Sequence, residues 1–305
     1  MKTAFLFPGQ GSQSIGMGME FFGKFSKAKS IYDAADAALG SKISDICFMG
    51  PDDALKSTEN AQPAILTTSI AILQEVLPFA KPDVVAGHSL GEYSALVAAG
   101  VLDFKDAVRV VRKRGEFMKA ASGGTMAAIL MLPREKVDQL CKEASRVGLA
   151  APANYNSPGQ IVVSGTKEGV EEMCKLAKGA GGKAIPLAVS GPFHSALMTS
   201  AQEKLGAEFT NVKFNNPSTS VIANVTADYV KDGNTAKKLL VEQVVSSVLW
   251  EDTINRMLKD GVELFVEVGP GKVLSGLVRK IKKEARVYNI ENTDTLEKFK
   301  AEIKQ

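Results

Sequence analysis

Residues 82–100 read PDVVAGHSLGEYSALVAAG, and this stretch decides the fold. The apolar run VVAG favours a buried strand, and the residues after the serine favour a helix. Between them, Gly87, Ser89 and Gly91 form the pattern G-x-S-x-G, whose glycines permit a tight turn that exposes the serine hydroxyl above a sheet. The stretch therefore predicts a strand–turn–helix unit with Ser89 as a nucleophile. The alternative is a turn of small residues that only joins the strand to the helix.

Outside this unit, short apolar runs alternate with amphipathic helical patterns, which is typical of an α/β fold with a mostly parallel sheet. Further strand candidates are residues 4–7, 220–224 and 264–268. Residues 124–191 differ because their pattern reads β-α-β-β-α-β, a compact unit inserted into the main fold. We therefore predict a large domain of residues 1–123 and 192–305 and a small domain of residues 124–191, with the active site in the cleft between them.

The composition excludes several functional classes. Hydrophobic residues make up 45% of the chain and charged residues 23%, which is ordinary for a globular protein. The formal net charge of +3 is too small to indicate nucleic-acid binding by itself. Three scattered cysteines argue against a zinc site and for a reducing compartment. We find neither a signal-peptide core nor an apolar run of about 18 residues, and we expect a cytoplasmic enzyme without a membrane span.

If Ser89 is a nucleophile, one of the two histidines must activate it, because a serine hydroxyl is a poor nucleophile near neutral pH. His88 adjoins the serine, and neighbouring side chains of an extended run point to opposite faces, so we expect a packing role for His88. His194 lies at a predicted strand–helix junction, where a helix N-terminus would disfavour the imidazolium and keep a neutral base. We therefore predict His194 as the base, with a buried core histidine as the alternative.

Arg114 lies in the middle of the apolar face of the helix predicted over residues 104–121. A guanidinium there should be buried, and a buried charge requires a partner. Two partners remain open at this point, an internal Asp or Glu and a substrate carboxylate held by a bidentate contact. With Ser89, the second possibility predicts acyl transfer in which Arg114 selects an acyl group that carries a carboxylate.

A glycine-rich turn, residues 7–13 (FPGQGSQ), follows the first predicted strand. Its glycines have the wrong spacing for the dinucleotide-binding pattern G-x-G-x-x-G, and residues 269–275 (GPGKVLS) lack the spacing and the ending of a P-loop. The turn fits better as part of an oxyanion hole, with the backbone N–H of Gln10 acting together with that of Leu90, the residue after the nucleophile.

Seven motifs in order resemble the malonyl-CoA:acyl carrier protein transacylases of fatty acid synthesis, and they span nearly the whole chain. The motifs are FPGQGSQ (7–13), ENAQPAI (59–65), GHSLGEYSALVAAG (87–100), VRKRGEFM (111–118), NYNSPGQIVVSG (154–165), GPFHSALM (191–198) and EVGPGKVLSGL (267–277). The resemblance implies an α/β-hydrolase-like core with an inserted ferredoxin-like subdomain. It also implies that Ser89 is acylated, that His194 is the base and that Arg114 binds the malonyl carboxylate.

The same resemblance assigns the remaining site residues. The oxyanion donors of the family map onto the backbone of Gln10 and Leu90, and Asn154 matches a family asparagine near the site. Phe193 resembles the malonyl-selective pattern of related polyketide acyltransferases. The family orients its histidine with a main-chain carbonyl, which the resemblance implies here as that of Leu249, at a position where many members carry glutamine or arginine.

The reaction implied is a ping-pong transfer of malonyl from malonyl-CoA, through malonyl-Ser89, to the phosphopantetheine thiol of a holo acyl carrier protein in fatty acid biosynthesis. It implies a coenzyme A thioester as substrate, no permanently bound cofactor and no metal. The carrier of this family is acidic, which draws attention to the basic residues 276–286, although a solvated helix face is the alternative reading of that segment. We expect a monomer that binds no nucleic acid.

Three other functions are open alternatives. A serine thioesterase or esterase of the α/β-hydrolase type would share the serine turn, but its histidine usually lies near the C-terminus, whereas about a third of this chain follows His194. A polyketide-pathway acyltransferase would share the chemistry and differ in the carrier. A non-catalytic carrier-docking subunit would be expected to lack Ser89, His194 or Arg114, and all three are present.

Overall fold

The strand of the strand–turn–helix unit of residues 82–100 lies second from one edge of the five-stranded main sheet in a computed structural model, which describes residues 1–121, 123–189 and 191–303. Ser122 and Ser190, at the predicted domain boundaries, and the last two residues of the predicted large domain lie outside the described residues. The strands are β1 (Lys2–Phe7), β2 (Val84–Gly87), β3 (Gly124–Leu130), β4 (Ala150–Ser157), β5 (Gln160–Thr166), β6 (Lys183–Pro186), β7 (Ser220–Val221), β8 (Val262–Val268) and β9 (Arg286–Ile290).

The main sheet has the strand order β7-β2-β1-β8-β9, and each of its neighbouring pairs is parallel. In its register Phe7 lies opposite Gly87, and Leu6 lies opposite Glu267. The loops that follow β1, β2 and β8 therefore leave the sheet at the same edge. This edge, where the carboxyl ends of parallel strands meet, is where open α/β sheets bind their ligands.

Both faces of the main sheet are buried, which explains the apolar runs AFLF (4–7) in β1 and VVAG (84–87) in β2. Phe5 and Phe7 of β1 belong to one hydrophobic cluster, whereas Ala4 and Leu6 belong to a second. Successive side chains of a strand point to opposite faces, so the two clusters lie on the two sides of the sheet. Burial on both faces is the usual environment of parallel strands.

The helices cover these faces and connect the strands. They are α1 (Met19–Lys24), α2 (Ser26–Leu39), α3 (Ile43–Met49), α4 (Asp52–Lys56), α5 (Thr58–Val76), α6 (Gly91–Ala98), α7 (Phe104–Ala120), α8 (Arg134–Ala144), α9 (Lys167–Gly179), α10 (Thr199–Glu208), α11 (Gly233–Gln243), α12 (Trp250–Lys259), α13 (Val273–Ile281) and α14 (Thr293–Ile303), with 3-10 turns at Ala196–Met198 and Phe209–Asn211. Helix α7 begins where Asp103 caps it, because the Asp103 carboxylate accepts the backbone N–H groups of Lys105 and Asp106.

The strands β3 to β6 of the predicted insertion form a second sheet. Its strand order is β4-β5-β3-β6, and its neighbouring strands are antiparallel. Its elements follow the predicted order β-α-β-β-α-β. Val137 of α8 and Met173 of α9 pack with one face of this sheet. On the other face, Met126 and Val162 belong to the hydrophobic cluster of the main sheet. The two sheets thus share a core, and β4 runs close to the edge where the site lies.

The structure differs from the sequence-based expectation at two strands. The strand predicted over 220–224 is only Ser220–Val221, because Ile222 forms an antiparallel bridge with Tyr229 and the Asn224 N–H donates to the Glu92 carboxylate instead of to a strand. Strand β9 was not predicted. It pairs along β8 at the edge of the sheet, next to a basic segment whose charges hide its apolar pattern.

The surroundings of two helical glycines predict opposite effects of an alanine substitution on the free energy of unfolding. A Cβ atom on Gly115 of α7 would lie 2.6 Å from the Cα atom of Glu59 in α5, so Gly115→Ala should lower the free energy of unfolding by about 1–3 kcal/mol through overpacking. On Gly276 of α13 a Cβ atom would meet nothing within 4 Å, so Gly276→Ala should be neutral or should stabilise by up to about 1 kcal/mol. Urea unfolding measures both, and equal stabilities would contradict the close contact of α5 with α7.

Candidate active site

Ser89 lies at a sharp turn that two glycines make possible. Its backbone has a φ of 52°, in the left-handed region that non-glycine residues rarely adopt. A Cβ atom on Gly87 would lie 1.9 Å from the carbonyl carbon of Gly91, and one on Gly91 would lie 2.0 Å from the Phe7 carbonyl oxygen. Each glycine of the G-x-S-x-G pattern is therefore required by a close backbone approach, and the helix after the turn begins directly behind the serine.

His194 contacts Ser89 in the geometry of a base. The Ser89 Oγ and His194 Nε2 atoms are 2.7 Å apart, and His194 Nδ1 lies 2.9 Å from the backbone oxygen of Gln243. Because a carbonyl oxygen can only accept, Nδ1 carries the proton, and Nε2 is left free to accept the Ser89 hydroxyl proton. Burial lowers the pKa of His194 to about 3, and the charge of Arg114 contributes to this shift. The imidazole is therefore neutral near pH 7.

His194 has a φ of 57° and precedes the turn Ala196–Met198 and helix α10, and burial is the largest cause of its low pKa. One sequence-based expectation about His194 is wrong, because the orienting carbonyl is not that of Leu249. The Leu249 oxygen accepts the backbone N–H and the hydroxyl of Thr253, each at 2.9 Å, as helix α12 begins. Gln243, at the end of α11, supplies the carbonyl instead.

Arg114 is 2% exposed and lies beside the nucleophile. Its Nη2 atom donates to Ser89 Oγ at 3.2 Å and to Gln243 Oε1 at 3.0 Å, and its Nη1 atom donates to Gln62 Oε1 at 2.8 Å. The guanidinium lies 5.5 Å from the ring centroid of Tyr93. Burial lowers the pKa of Arg114, yet an arginine stays protonated at any pH of interest.

The partner of Arg114 is not an internal carboxylate in direct contact. No Asp or Glu of the described residues forms an ion pair with it, and its Nε atom has no hydrogen-bond partner there. Its side-chain neighbours are neutral amides and a hydroxyl. A buried cation surrounded by neutral groups is suited to binding an anion that arrives with the substrate.

The opening glycine-rich turn approaches the serine turn from the next strand. A Cβ atom on Gly9 would lie 2.4 Å from the backbone oxygen of His88, and the Gln10 side chain donates to Thr58 Oγ1 at 3.2 Å. Within the described part of the chain, the backbone N–H groups of Gln10 and Leu90 donate to no acceptor. Both predicted oxyanion donors are thus unoccupied by any group of the described residues.

The remaining predicted residues lie around this centre in different ways. Asn154 of β4 is 7% exposed, and its side chain makes no hydrogen bond with the described residues, while its strand bridges to Val248. Phe193 is also 7% exposed and belongs to the main hydrophobic cluster. His88 has the expected supporting role. Its Nε2 atom lies 2.8 Å from Asn156 Oδ1, and its ring packs against Trp250.

Two residues that the sequence analysis missed hold the serine turn. Asn224 Oδ1 accepts the Ser89 N–H at 2.7 Å, and its Nδ2 atom donates to the Gly87 oxygen at 2.7 Å. Gln243 Nε2 donates to the Ser89 oxygen at 3.0 Å. Asn224 is the last residue of the strand predicted over 220–224, so its place at the carboxyl end of the sheet was a usable signal. Gln243 ends an amphipathic helix, and we found no sequence signal for it.

The described residues also bear on other classes of protein. They contain no group of three or more His, Cys, Asp or Glu side chains that could hold a metal ion. Among them, none of the helices is both long and apolar enough to cross a membrane. The three cysteines are free thiols.

The low pKa of His194 predicts how stability depends on pH. Between its folded value of about 3 and its ordinary value of 6.5, the unfolded chain binds a proton that the folded chain does not, so this group lowers stability as pH falls. His194→Asn removes the group. Its stability relative to the wild type should therefore improve by on the order of 3 kcal/mol from about pH 7 to pH 4. Urea unfolding at both pH values measures this change, and a constant difference would contradict a buried, neutral His194.

Comparisons with known proteins identify the family of this chain. Residues 4–304 match the model of the family described as the acyl transferase domain. The chain is 50% identical over 302 residues to a malonyl CoA-acyl carrier protein transacylase of Bacillus subtilis (strain 168), with 97% of this chain and 95% of the relative covered. It is 44% identical to the protein of the same name in Haemophilus influenzae, with 92% of each covered.

Solved structures give the same result. The malonyl CoA-acyl carrier protein transacylase of Clostridium perfringens superposes with a TM-score of 0.97 at 41% identity, covering 100% of this chain and 98% of that one. A structure of a type II PKS acyl-carrier protein in complex with its malonyl-transacylase superposes with a TM-score of 0.96 at 37% identity, covering 99% and 100%. By sequence and by fold, the chain belongs to the malonyl CoA-acyl carrier protein transacylases, within the acyl transferase domain family.

Proposed function

We propose that this chain transfers the malonyl group of malonyl-CoA to the phosphopantetheine thiol of an acyl carrier protein through a malonyl-Ser89 intermediate, in fatty acid biosynthesis. The observation that carries the proposal is the contact of one hydroxyl with both a base and a cation. Ser89 Oγ lies 2.7 Å from His194 Nε2 and 3.2 Å from Arg114 Nη2. A nucleophile, a neutral base and a carboxylate-binding group thus meet at one atom.

In the first half-reaction, Ser89 Oγ attacks the thioester carbonyl while His194 Nε2 takes its proton. The backbone N–H groups of Gln10 and Leu90, which have no acceptor among the described residues, donate to the tetrahedral oxyanion. The Gln243 carbonyl holds the imidazolium through its Nδ1 proton. When the carbon–sulfur bond breaks, His194 gives its proton to the departing coenzyme A thiolate, and malonyl-Ser89 remains.

The second half-reaction reverses the first with a new thiol. The phosphopantetheine thiol of the carrier gives its proton to His194 and attacks the malonyl-Ser89 ester. The same two amides hold the second oxyanion. His194 then returns the proton to Ser89 Oγ, and the malonyl thioester leaves on the carrier. Each group ends in its starting state, as a ping-pong cycle requires.

Arg114 would bind the free carboxylate of the malonyl group. Its fork of N–H donors matches a carboxylate, and none of the described carboxylates pairs with it directly. Asn154 and Phe193 would line the acyl site, since each is nearly buried, Phe193 directly precedes His194, and Asn154 lies two residues from Asn156, the partner of His88. Bound cofactors have no place in this scheme, because every proton is carried by His194 and every charge is held by the chain.

The finer assignments of fold and setting are also proposals. The strand order β4-β5-β3-β6 supports a ferredoxin-like small domain of residues 124–191, and the serine turn after β2 supports an α/β-hydrolase-like large domain of residues 1–123 and 192–305. Three free thiols support a reducing, cytoplasmic setting. We propose that the protein acts as a monomer on an acidic carrier protein.

Intact-protein mass after brief mixing with malonyl-CoA tests the function. The wild type should gain one malonyl group and lose it to added holo carrier protein, whereas Ser89→Ala should gain none.

Arg114→Ala should slow malonyl transfer by ~10²–10⁴-fold, because removing one partner of a buried ion pair costs on the order of 3–5 kcal/mol, and acetyl transfer should fall far less. Equal losses for the two acyl groups would contradict the role of Arg114, and free malonate in place of acylated carrier would indicate a hydrolase.

The carrier surface gives a separate prediction. Lys280 and Lys283 are exposed within the basic segment 276–286. If this segment binds an acidic carrier, Lys280→Glu with Lys283→Glu should raise the KM for the carrier about three- to tenfold at low salt and leave the KM for malonyl-CoA unchanged. Lys27→Glu with Lys298→Glu, at exposed lysines outside the segment, is the matched control. A carrier KM that responds equally to both pairs would count against this surface.

A further inference from the structure

Glu92 is a buried carboxylate that the mechanism does not use. It lies in the first turn of α6, three residues after the nucleophile, and it is 1% exposed. None of the described residues forms an ion pair with it within 4 Å. Burying a carboxylate without a direct counter-charge costs free energy. The hydrogen bonds of Glu92 therefore indicate what role it has.

Those hydrogen bonds lead to the two residues that hold the serine turn. Glu92 Oε2 accepts the backbone N–H of Asn224 at 3.1 Å and the side-chain Nε2 of Gln243 at 2.6 Å. The Gln243 bond is short, as expected for an amide that donates to an ionised oxygen. Glu92 therefore contacts the catalytic centre through Gln243.

The carboxylate and the Ser89 backbone oxygen together decide which way the Gln243 amide points. An ionised carboxylate and a carbonyl oxygen can only accept hydrogen bonds, and Gln243 Nε2 donates to Glu92 at 2.6 Å and to the Ser89 oxygen at 3.0 Å, so its Oε1 atom is left facing Arg114. That oxygen accepts from Arg114 Nη2 at 3.0 Å, on the same nitrogen that contacts Ser89 Oγ. Were the amide reversed, an NH₂ group would face the guanidinium, and two donors would repel each other.

We propose that Glu92 is a positioning residue which, through the Gln243 amide, holds the Arg114 guanidinium beside Ser89 and so sets the preference for an acyl group that carries a carboxylate. The proposal rests on the proposed function, because it assigns Glu92 a part in the work of Arg114. It also explains why the Glu92 carboxylate reaches the Arg114 guanidinium only through the side chain of Gln243. A carboxylate in direct contact with Arg114 would compete with the substrate's own.

Glu92→Gln is the sharpest variant. Its carbonyl oxygen can still accept the Asn224 N–H and the Gln243 NH₂ group, so α6 and the serine turn keep their bonds. Its neutral amide holds the Gln243 NH₂ group less strongly than the carboxylate does, because the hydrogen bond loses its charge, while the Ser89 oxygen still accepts from that group. Glu267→Gln is the matched control, because Glu267 is 0% exposed and accepts two backbone N–H groups of α13 with its two oxygens. That change disrupts hydrogen bonding more and leaves Gln243 and Arg114 alone.

The measurement is the rate of Ser89 acylation by malonyl-CoA and by acetyl-CoA, with urea unfolding of each variant. Burial raises the pKa of Glu92 to about 7, so assays at about pH 8 keep the wild-type carboxylate ionised. We expect Glu92→Gln to lower the malonyl-to-acetyl rate ratio about tenfold. Glu267→Gln should lower the unfolding midpoint and leave the ratio at the wild-type value.

Arg114→Ala separates this proposal from the function on which it rests. If Glu92 acts through Arg114, adding Glu92→Gln to Arg114→Ala should not change the ratio further. Suppose that Arg114→Ala loses its malonyl preference but Glu92→Gln keeps the wild-type ratio. This result would overturn the Glu92 proposal alone. A further drop in the double variant would also overturn it. If Arg114→Ala keeps its malonyl preference, the role of Arg114 fails, and the role of Glu92 fails with it.

Discussion

The close approach of three backbone segments at one edge of the main sheet is the constraint on which the site depends. The turn after β2 lies so near the end of β1 and the start of α6 that Gly9, Gly87 and Gly91 have no room for a side chain. This crowding forces Ser89 into a left-handed conformation and brings the opening glycine-rich turn against it. The nucleophile and the two free backbone N–H groups are therefore placed by one packing arrangement.

A buried cation then sets the chemistry of the groups around it. Arg114 lies at hydrogen-bond distance from the nucleophile, and its charge adds to burial in lowering the pKa of His194. The same charge that would attract a substrate carboxylate thus keeps the base neutral while the site is empty. When a carboxylate arrives, it offsets that charge, and protonation of His194 in the transition state becomes less costly. Substrate binding and base strength are linked through this residue.

A site residue could be predicted from the sequence where its role depends on neighbours close to it along the chain. Ser89 and Arg114 were found from local patterns, a turn motif and a helical stripe, and both lie where these patterns indicate. Gln243 bonds the Ser89 oxygen across 154 positions and Arg114 across 129, and nothing near it in sequence marks such contacts. The Leu249 error has the same origin. A carbonyl beside the start of α12 was a reasonable choice from a motif, but its hydrogen bonds are used inside that helix.

The choice of a main-chain carbonyl to orient His194 follows from the presence of Arg114. An aspartate at that position would raise the pKa of the histidine, and its negative charge would offset part of the positive charge of Arg114. Either effect would weaken the site for a substrate that brings its own carboxylate. The chain instead surrounds Arg114 with neutral amide oxygens, those of Gln62 and Gln243, and holds its nearby carboxylate, Glu92, behind the Gln243 amide. The positive charge of Arg114 thus has no carboxylate in direct contact among the described residues, and the acyl group must supply one.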